Sequence, residues 1–479
     1  MQAMLSDPTV TVLGRDPTHR THAINGYAYQ QDVITSFRGW QYAVFYSTLT
    51  PGSAPEPLFV HLARRQLPSG PWETIVFEDY PQTADDGHNT VQMGICHGDG
   101  TIHLSYDHHC DVLRYRHSAP GVAQHPAAFR WAPSLFTLTL DHLPGLPRDH
   151  RHFARVTYPR LGALPGTGAM FMSLRDGKAG LGSDHLYLYR GGGGGGGETT
   201  AGLWEFVGTP LTGVRSNPYV HGWDFSSMGN GTEEDGGTGG TGGTGGSGGG
   251  GGRLHVTWVW RGFVWYEGWD DPEDTKHKAQ AGPNGAENNQ DICYAYSDDL
   301  GYTWRNGDGA VVADLRKGGT IENGAEGIVA FRIPKGSGLM NQESQVVDRD
   351  GGVHVLNRDT LDDGVYMWKH YYRSPDGTWS PRAIMPVDGP RRGQLAVTRN
   401  GDLLMLLPAT TAPIMSILKA TKAGGYADYV EVWAGNGLSG EPLVDGHRLQ
   451  EENILSVFVR RDVEHSGGEK VVAVLDFRL

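Results

Sequence analysis

What most constrains the fold of this 479-residue chain is a recurring unit of strand, tight turn and strand, repeated along nearly its whole length. Asp32 to Phe37 is followed by Gln41 to Tyr46 and Leu58 to Ala63, and Thr90 to Cys96 by Thr101 to Tyr106, with Val112 to Arg116 available as a further strand. Ala169 to Leu174 pairs with His185 to Tyr189, and Leu254 to Trp260 precedes Ile292 to Ser297. The C-terminal half continues with Gln345 to Val347, Val353 to Asn357 and Tyr366 to Arg373, then Ala396 to Thr398 with Leu403 to Leu407, and Leu455 to Arg460 with Val471 to Phe477. Alternation of this kind sends successive side chains to opposite faces, which is the signature of strands. Its repetition points to an all-β propeller of roughly seven blades with about four antiparallel strands each, although counting alone also admits six or eight. One propeller domain over residues 1–479 is the expectation, since all-β folds of this length run as one unit.

The turns support this. Asp99-Gly100, Asp350-Gly351 and Asn400-Gly401 each sit between two alternating runs, where a hairpin needs residues tolerant of positive φ. Ser297-Asp298-Asp299-Leu300-Gly301-Tyr302-Thr303-Trp304 fits the Asp-box form S-x-D-x-G-x-T-W, and Tyr372 to Trp379 is a degenerate relative. In that form Ser and Asp close a turn and Trp packs between blades, so Asp299 is assigned to structure. The Gly-rich tracts at 191–197 and 236–252 cannot bury enough surface to offset their entropy, and they are expected to be disordered loop insertions. Neither has the Lys-Ser/Thr ending of a phosphate loop.

A formal net charge of -14 with no Lys/Arg run argues against a nucleic-acid partner. Cys96, Cys110 and Cys293 form neither an even framework nor a CxxC pair, so buried free thiols are expected. The first residues lack the basic start and apolar core of a secretory signal, and no stretch is long and apolar enough to span a membrane.

Chemistry concentrates in Gly87 to Ser118, which holds six histidines in two alternating strands joined by a Gly-Asp-Gly turn. A histidine in a strand is usually a hydrogen-bonded structural residue. His88 and His108 depart from that expectation, because each stands at a strand end beside polar residues (Asn89, Asp107, His109), where side chains line a rim. Asp107-His108-His109 and Asp362-Asp363 are candidate cation clusters, but their spacing fixes no ligand set.

These stretches resemble the β-propeller polysaccharide lyases with BNR-type repeats, a group that includes ulvan lyases and fungal lyases cleaving rhamnose from glucuronate. The resemblance begins at Asn25-Gly26 with Gln30-Gln31-Asp32 and runs through GHNTVQMG, DGTIHLSYDHH, Thr157-Tyr158-Pro159 and the arginine after FMSL. It continues through Asn217-Pro218-Tyr219-Val220, HVTWVWR, CYAYSDDLGYTW and NQESQVVDRDGGVHVL. It implies a β-elimination: the proton at C5 of a uronic acid is removed and the oxygen at C4 expelled, leaving a 4,5-unsaturated uronate. A proton α to a carboxylate is weakly acidic, so the developing charge needs a cation, a base and a proton donor. Matched motif by motif, His88, His108, Tyr158 and Arg175 are the expected catalytic residues, with Tyr158 and one histidine as the proton-transfer pair and Arg175 on the carboxylate. Tyr219, Arg261 and Asn89 are the expected substrate contacts.

The chain departs from the pattern after Arg261, where Gly262-Phe263-Val264-Trp265 replaces the usual polar residue; Phe263, Trp265 and Trp269 would form an apolar wall suited to a sugar face or the methyl of a rhamnose. The resemblance permits a structural calcium without requiring a cofactor for catalysis. It further implies a uronate-containing polysaccharide or oligosaccharide as substrate, a monomer and an extracellular setting. A sialidase-like hydrolase and a non-catalytic carbohydrate-binding propeller are the alternatives, the first requiring an arginine triad and a Tyr/Glu nucleophile pair.

Overall fold

The computed structural model describes residues 4–27, 32–49, 57–178, 182–192, 201–227, 252–269, 271, 274–276, 284–360, 363–463 and 469–479. The two Gly-rich tracts, apart from Gly191, Gly192 and Gly252, lie outside these residues, as do Gln30, Gln31 and Asp362. The described strands form seven antiparallel sheets arranged as the blades of a propeller. Blade 1 runs Ile34–Phe37, Trp40–Ser47, Leu58–Gln66 and Glu73–Gln82, each strand hydrogen-bonded to the next. Blades 5 and 6 repeat this four-strand meander over residues 344–386 and 394–436. In blade 7 the N-terminal strand Thr9–Arg15 pairs with the C-terminal strand Lys470–Arg478, so the two ends of the chain close the ring.

Three blades depart from the meander, and these are the ones that carry the candidate site. Blade 2 has only Val91–Ile95, Ile102–Tyr106 and Tyr115–His117 as strands. The expected strand from Val112 to Arg116 does not form as such: Asp107 (φ 66) and Cys110 (φ 57) are left-handed, and they turn the chain out of blade 2. His109–Asp111 consequently pairs with Val156–Leu164, the inner strand of blade 3, and carries the histidines across the seam. Blade 4 gains an extra strand, Val329–Phe331, alongside Asn289–Ser297.

Ile102 to Tyr106 is buried along its whole length, although Ile102 and Leu104 face away from His103 and Ser105. Both faces of a blade pack against neighbours, so the alternation does not produce a wet face. His103 therefore sits between blades, with Nε2 at 2.6 Å from Thr101 Oγ1 and Nδ1 at 2.6 Å from Tyr115 Oη. Cys96 and Cys293 are buried free thiols, whereas Cys110 is free and only partly buried. No helix among the described residues is long and apolar enough to cross a membrane.

The first strand of each blade lines a central channel. A cavity of about 750 Å³ occupies it, bounded by Asp32, Arg160, His221, Asp224 and Gln345 and extending to His447 and Gln450.

The Asp-box residues have structural roles. Asp299 Oδ1 accepts from Ser297 Oγ (2.8 Å) and from the Thr303 amide (2.7 Å), while the fully buried Trp304 donates to the Gly301 carbonyl at 2.8 Å. Gly301 has φ +93, and a Cβ there would meet Leu186 Cδ2 of the neighbouring blade at 2.2 Å. Gly301→Ala is therefore expected to destabilise the fold by about 1–3 kcal/mol through backbone strain alone, with the clash adding to it. Urea unfolding checks this; an unchanged midpoint would mean that the turn relaxes freely.

Candidate active site

The loop Asp86 to Asn89 leads into blade 2 and meets the crossing strand His109–Asp111. Asp86 joins two imidazoles: Oδ1 lies 2.6 Å from His88 Nδ1 and Oδ2 lies 2.6 Å from His109 Nδ1. The two rings stack with centroids 3.9 Å apart. Burial acts to raise the Asp86 carboxyl, but its bonds to His109 and His88 outweigh that and hold it far below the usual carboxylate range. Burial pushes His109 down to about 4, against the pull of Asp86, so near neutral pH this ring is uncharged. His88 keeps 29% of its side chain exposed and faces Tyr158, with ring centroids 5.8 Å apart.

Tyr158 owes its position to a break in the sheet. Thr157 pairs with Arg175 and Arg160 with Ser173, so Tyr158 and Pro159 together stand opposite Leu174 alone. That is a β-bulge, and Tyr158 adopts φ 54 within it. A bulky residue in this region costs energy and persists only where the surroundings over-determine it, which is characteristic of functional positions. The bulge aims the phenol at the end of the neighbouring strand. Arg175 Cζ lies 4.8 Å from the Tyr158 ring centroid and 5.5 Å from that of Tyr219. Arg261 Cζ lies 4.6 Å from the Tyr219 ring centroid. His88, Tyr158, Arg175, Tyr219 and Arg261 thus form an unbroken series of imidazole, phenol, guanidinium, phenol and guanidinium across blades 2, 3 and 4.

Arg175 is 3% exposed, and neither its Nε nor its Nη1 has a hydrogen-bond partner. A cation with open donors at such a depth has the chemistry to take an anion, because guanidinium matches carboxylate in planar geometry. Its cross-strand neighbour Asp184 leaves its own Oδ1 unpartnered, and burial pushes that carboxyl up to about 6. Asn217 supports the arrangement, with Oδ1 accepting from the Gly182 amide at 2.6 Å and Nδ2 at 3.5 Å from Tyr219 Oη. Arg261 is steered by Asn289, whose Oδ1 accepts from Nε at 2.8 Å.

Of the expected residues, the structure brings His88, Tyr158, Arg175, Tyr219 and Arg261 together. His108 and Asn89 are placed differently. His108 is 1% exposed, and its Nε2 accepts the Arg114 amide at 2.8 Å; burial, reinforced by Arg114, drives its pKa well below the usual range. The ring stacked on His88 is His109, because the left-handed residues on either side of the pair turn His108 toward Arg114. Asn89 is 3% exposed and donates Nδ2 to Asp107 Oδ1 at 2.7 Å, supporting the loop. Asp86 went unrecognised in the sequence, and His109 was named there only as a neighbour of His108 and a member of a candidate cation cluster. The one available signal was an acidic pair placed just before GHN, with a second histidine following His108.

Asp86, His88 and His109 also offer three potential metal ligands within 4.8 Å of one another. Asp107 is unsuited to a cation, since Tyr80 (2.5 Å), Gln82 (3.1 Å) and Asn89 (2.7 Å) already donate to its carboxylate. Beyond Arg261, Phe263 and Trp269 pack at 4.3 Å between centroids, and Trp265 is 62% exposed. Of the expected aromatic wall, Phe263 and Trp269 are thus in ring contact, with Trp269 itself buried. The channel cavity begins two residues further along the inner strands, at Arg160 and His221, so the site occupies the opposite end of those strands from His447.

Burial would raise the Tyr219 phenol, but Arg261 and Arg175 outweigh it and bring the group down to about 8. Other buried tyrosines go the opposite way, Tyr294 up to about 12. A spectroscopic tyrosinate titration should show one group ionising as pH rises through about 8, absent in Tyr219→Phe; ionisation only above about 10 would contradict the geometry.

The sequence pattern of the BNR repeat-containing family matches residues 40–230 and 244–386. No curated protein sequence matches the chain. Among solved structures, the polysaccharide lyase Uly1 is similar over 99% of both chains at 17% identity and a TM-score of 0.65, a likeness of fold. Trypanosoma rangeli sialidase aligns over 98% of this chain and 58% of its own at 10% identity and a TM-score of 0.38. Aleuria aurantia lectin aligns over 86% and 97% at 11% identity and 0.37. With its repeats, its propeller and a family match on both sides of the longer Gly-rich tract, the chain belongs to the BNR repeat-containing family.

Proposed function

We propose that this protein is a carbon-oxygen lyase that cleaves a polysaccharide at C4 of a uronic acid by β-elimination. The observation that carries this is the buried Arg175 guanidinium, with open donors, against the paired rings of Tyr158 and Tyr219. A uronate carboxylate seated there has its charge neutralised. The C5 proton becomes more acidic, since the dianion formed on its loss is spread onto a paired carboxylate. Tyr158, set against Arg175, and His88, set against Tyr158, form the proton-transfer pair: one removes the C5 proton, the other protonates the departing C4 oxygen. Asp86 holds the His88 ring by Nδ1, which fixes the orientation in which Nε2 is presented. Arg261 and Tyr219 extend the anionic subsite. His108 is better placed to support the loop than to transfer a proton.

The aromatic wall of Phe263, Trp265 and Trp269 supports a sugar with an apolar face in the adjoining subsite, and a rhamnose-glucuronate linkage fits that chemistry. Such polymers lie outside cells, which is where the enzyme would act. Guanidiniums beside both phenols, Arg175 at Tyr158 and Arg175 with Arg261 at Tyr219, favour elimination over the sialidase-like alternative, in which a glutamate would activate a tyrosine nucleophile.

The test is ultraviolet absorbance of the unsaturated uronate, with ulvan and gum arabic as separate substrates. The expected result is a rise with at least one of them, larger for gum arabic. Tyr158→Phe should lower the rate by about 10²–10⁴-fold. Arg175→Ala should lower it by about 10²–10³-fold. Binding of either polymer without any rise would favour the carbohydrate-binding reading, and reducing sugar released without absorbance would favour the hydrolase.

A further inference from the structure

A second cluster, His152, Asp176 and His185, lies behind the strands that present Arg175. Arg175 pairs with Asp184 and Leu174 with His185 across Ala169–Asp176 and Ser183–Arg190. Side chains alternate along these strands, so Asp176 and His185 point away from Arg175, toward blade 2. His152 reaches the same place from the turn Arg151–Phe153, and its ring stacks on His185 at 3.6 Å between centroids.

We propose that this cluster is a binding site for a divalent transition metal of the zinc class. Its protein ligands are His152 Nδ1, His185 Nε2 and the Asp176 carboxylate, with solvent in the remaining position. One potential ligand atom from each residue lies within 4.8 Å of the other two. His152 Nδ1 is 3.1 Å from Asp176 Oδ2, and His185 Nε2 is 3.9 Å from the same oxygen. Tetrahedral zinc with bonds of about 2.1 Å needs ligand atoms about 3.4 Å apart, which the two distances to Asp176 straddle. The independent sign of a ligand is His185 itself. The residue is 3% exposed, and its Nδ1 lies 2.9 Å from Thr209 Oγ1. Its Nε2 is buried without a hydrogen-bond partner, facing a carboxylate oxygen too distant to bond. A cation between the two gives that nitrogen its partner.

Two imidazoles with one carboxylate suit zinc-class ions rather than calcium, which takes oxygen ligands. Thr209 is the outer hydrogen-bond partner that fixes a ligating ring. Arg151 Nε is 3.1 Å from His152 Nε2. With metal on Nδ1 that nitrogen carries the ring proton, so the exposed Arg151 side chain turns out to solvent. A bound ion would pin the end of the strand carrying Arg175 from behind.

Calorimetric titration of the chelator-treated full chain with zinc chloride tests the site without reference to activity. One equivalent is expected here, weakened at least tenfold in both His185→Gln and Asp176→Asn, with circular dichroism confirming the fold. Asp176 is partly exposed, so its variant decides if His185→Gln does not fold. His109→Gln removes the other candidate cluster, and the equivalent assigned here should survive it. The proposal is overturned by an absence of zinc binding, by undiminished affinity in a folded variant of either residue, or by loss of all binding in His109→Gln.

Discussion

A guanidinium held at 3% exposure with two of its nitrogens unpartnered is an arrangement that a protein stabilises only with help from its surroundings, and the site can be understood as that help. Tyr158 and Tyr219 place aromatic rings at 4.8 Å and 5.5 Å from Arg175 Cζ, which favours the cation without neutralising it. Asp184, directly across the strand pair, is buried, lies in the field of Arg160 as well as Arg175, and leaves Oδ1 without a hydrogen bond to either. What remains is an unmet demand for an anion, and the groups able to move a proton stand next to it.

The scaffold explains how five side chains from three blades converge. Each blade buries both faces against its neighbours, so a side chain at the end of an inner strand has no freedom to wander. Where the meander is broken, chemistry appears. The bulge at Tyr158 re-aims a phenol, and the left-handed residues Asp107 and Cys110 carry His109 from blade 2 to blade 3. The same strands serve the His152, Asp176 and His185 cluster on their reverse side, so anchoring there bears on how firmly Arg175 is held.

Much of the architecture was legible in the sequence, because alternation and Asp-Gly turns are local signals and ring closure follows from repeating them. The Asp box was read correctly as structure: Ser297, Asp299 and Trp304 act within a few residues of one another. Tyr158, Arg175, Tyr219 and Arg261, which the fold brings together, were named through motifs. The choice between His108 and His109 was not legible, since it depends on two positive φ values that no pattern announces. Asp86 was missed because its partners are fixed by a turn and by a strand that leaves its sheet. His152, Asp176 and His185 share no spacing that marks them; only the strand register of blade 3 and a preceding turn unite them.

The account stands on a carboxylate seated at Arg175 making the C5 proton removable. The most direct test is the rate on a glucuronate-containing oligosaccharide deuterated at C5, compared with the undeuterated substrate under single-turnover conditions. Slower turnover of the deuterated substrate, with an isotope effect absent when the label is at C4, is the result predicted. Equal rates for the C5-labelled and unlabelled substrates, accompanied by a saturated sugar product, would contradict it.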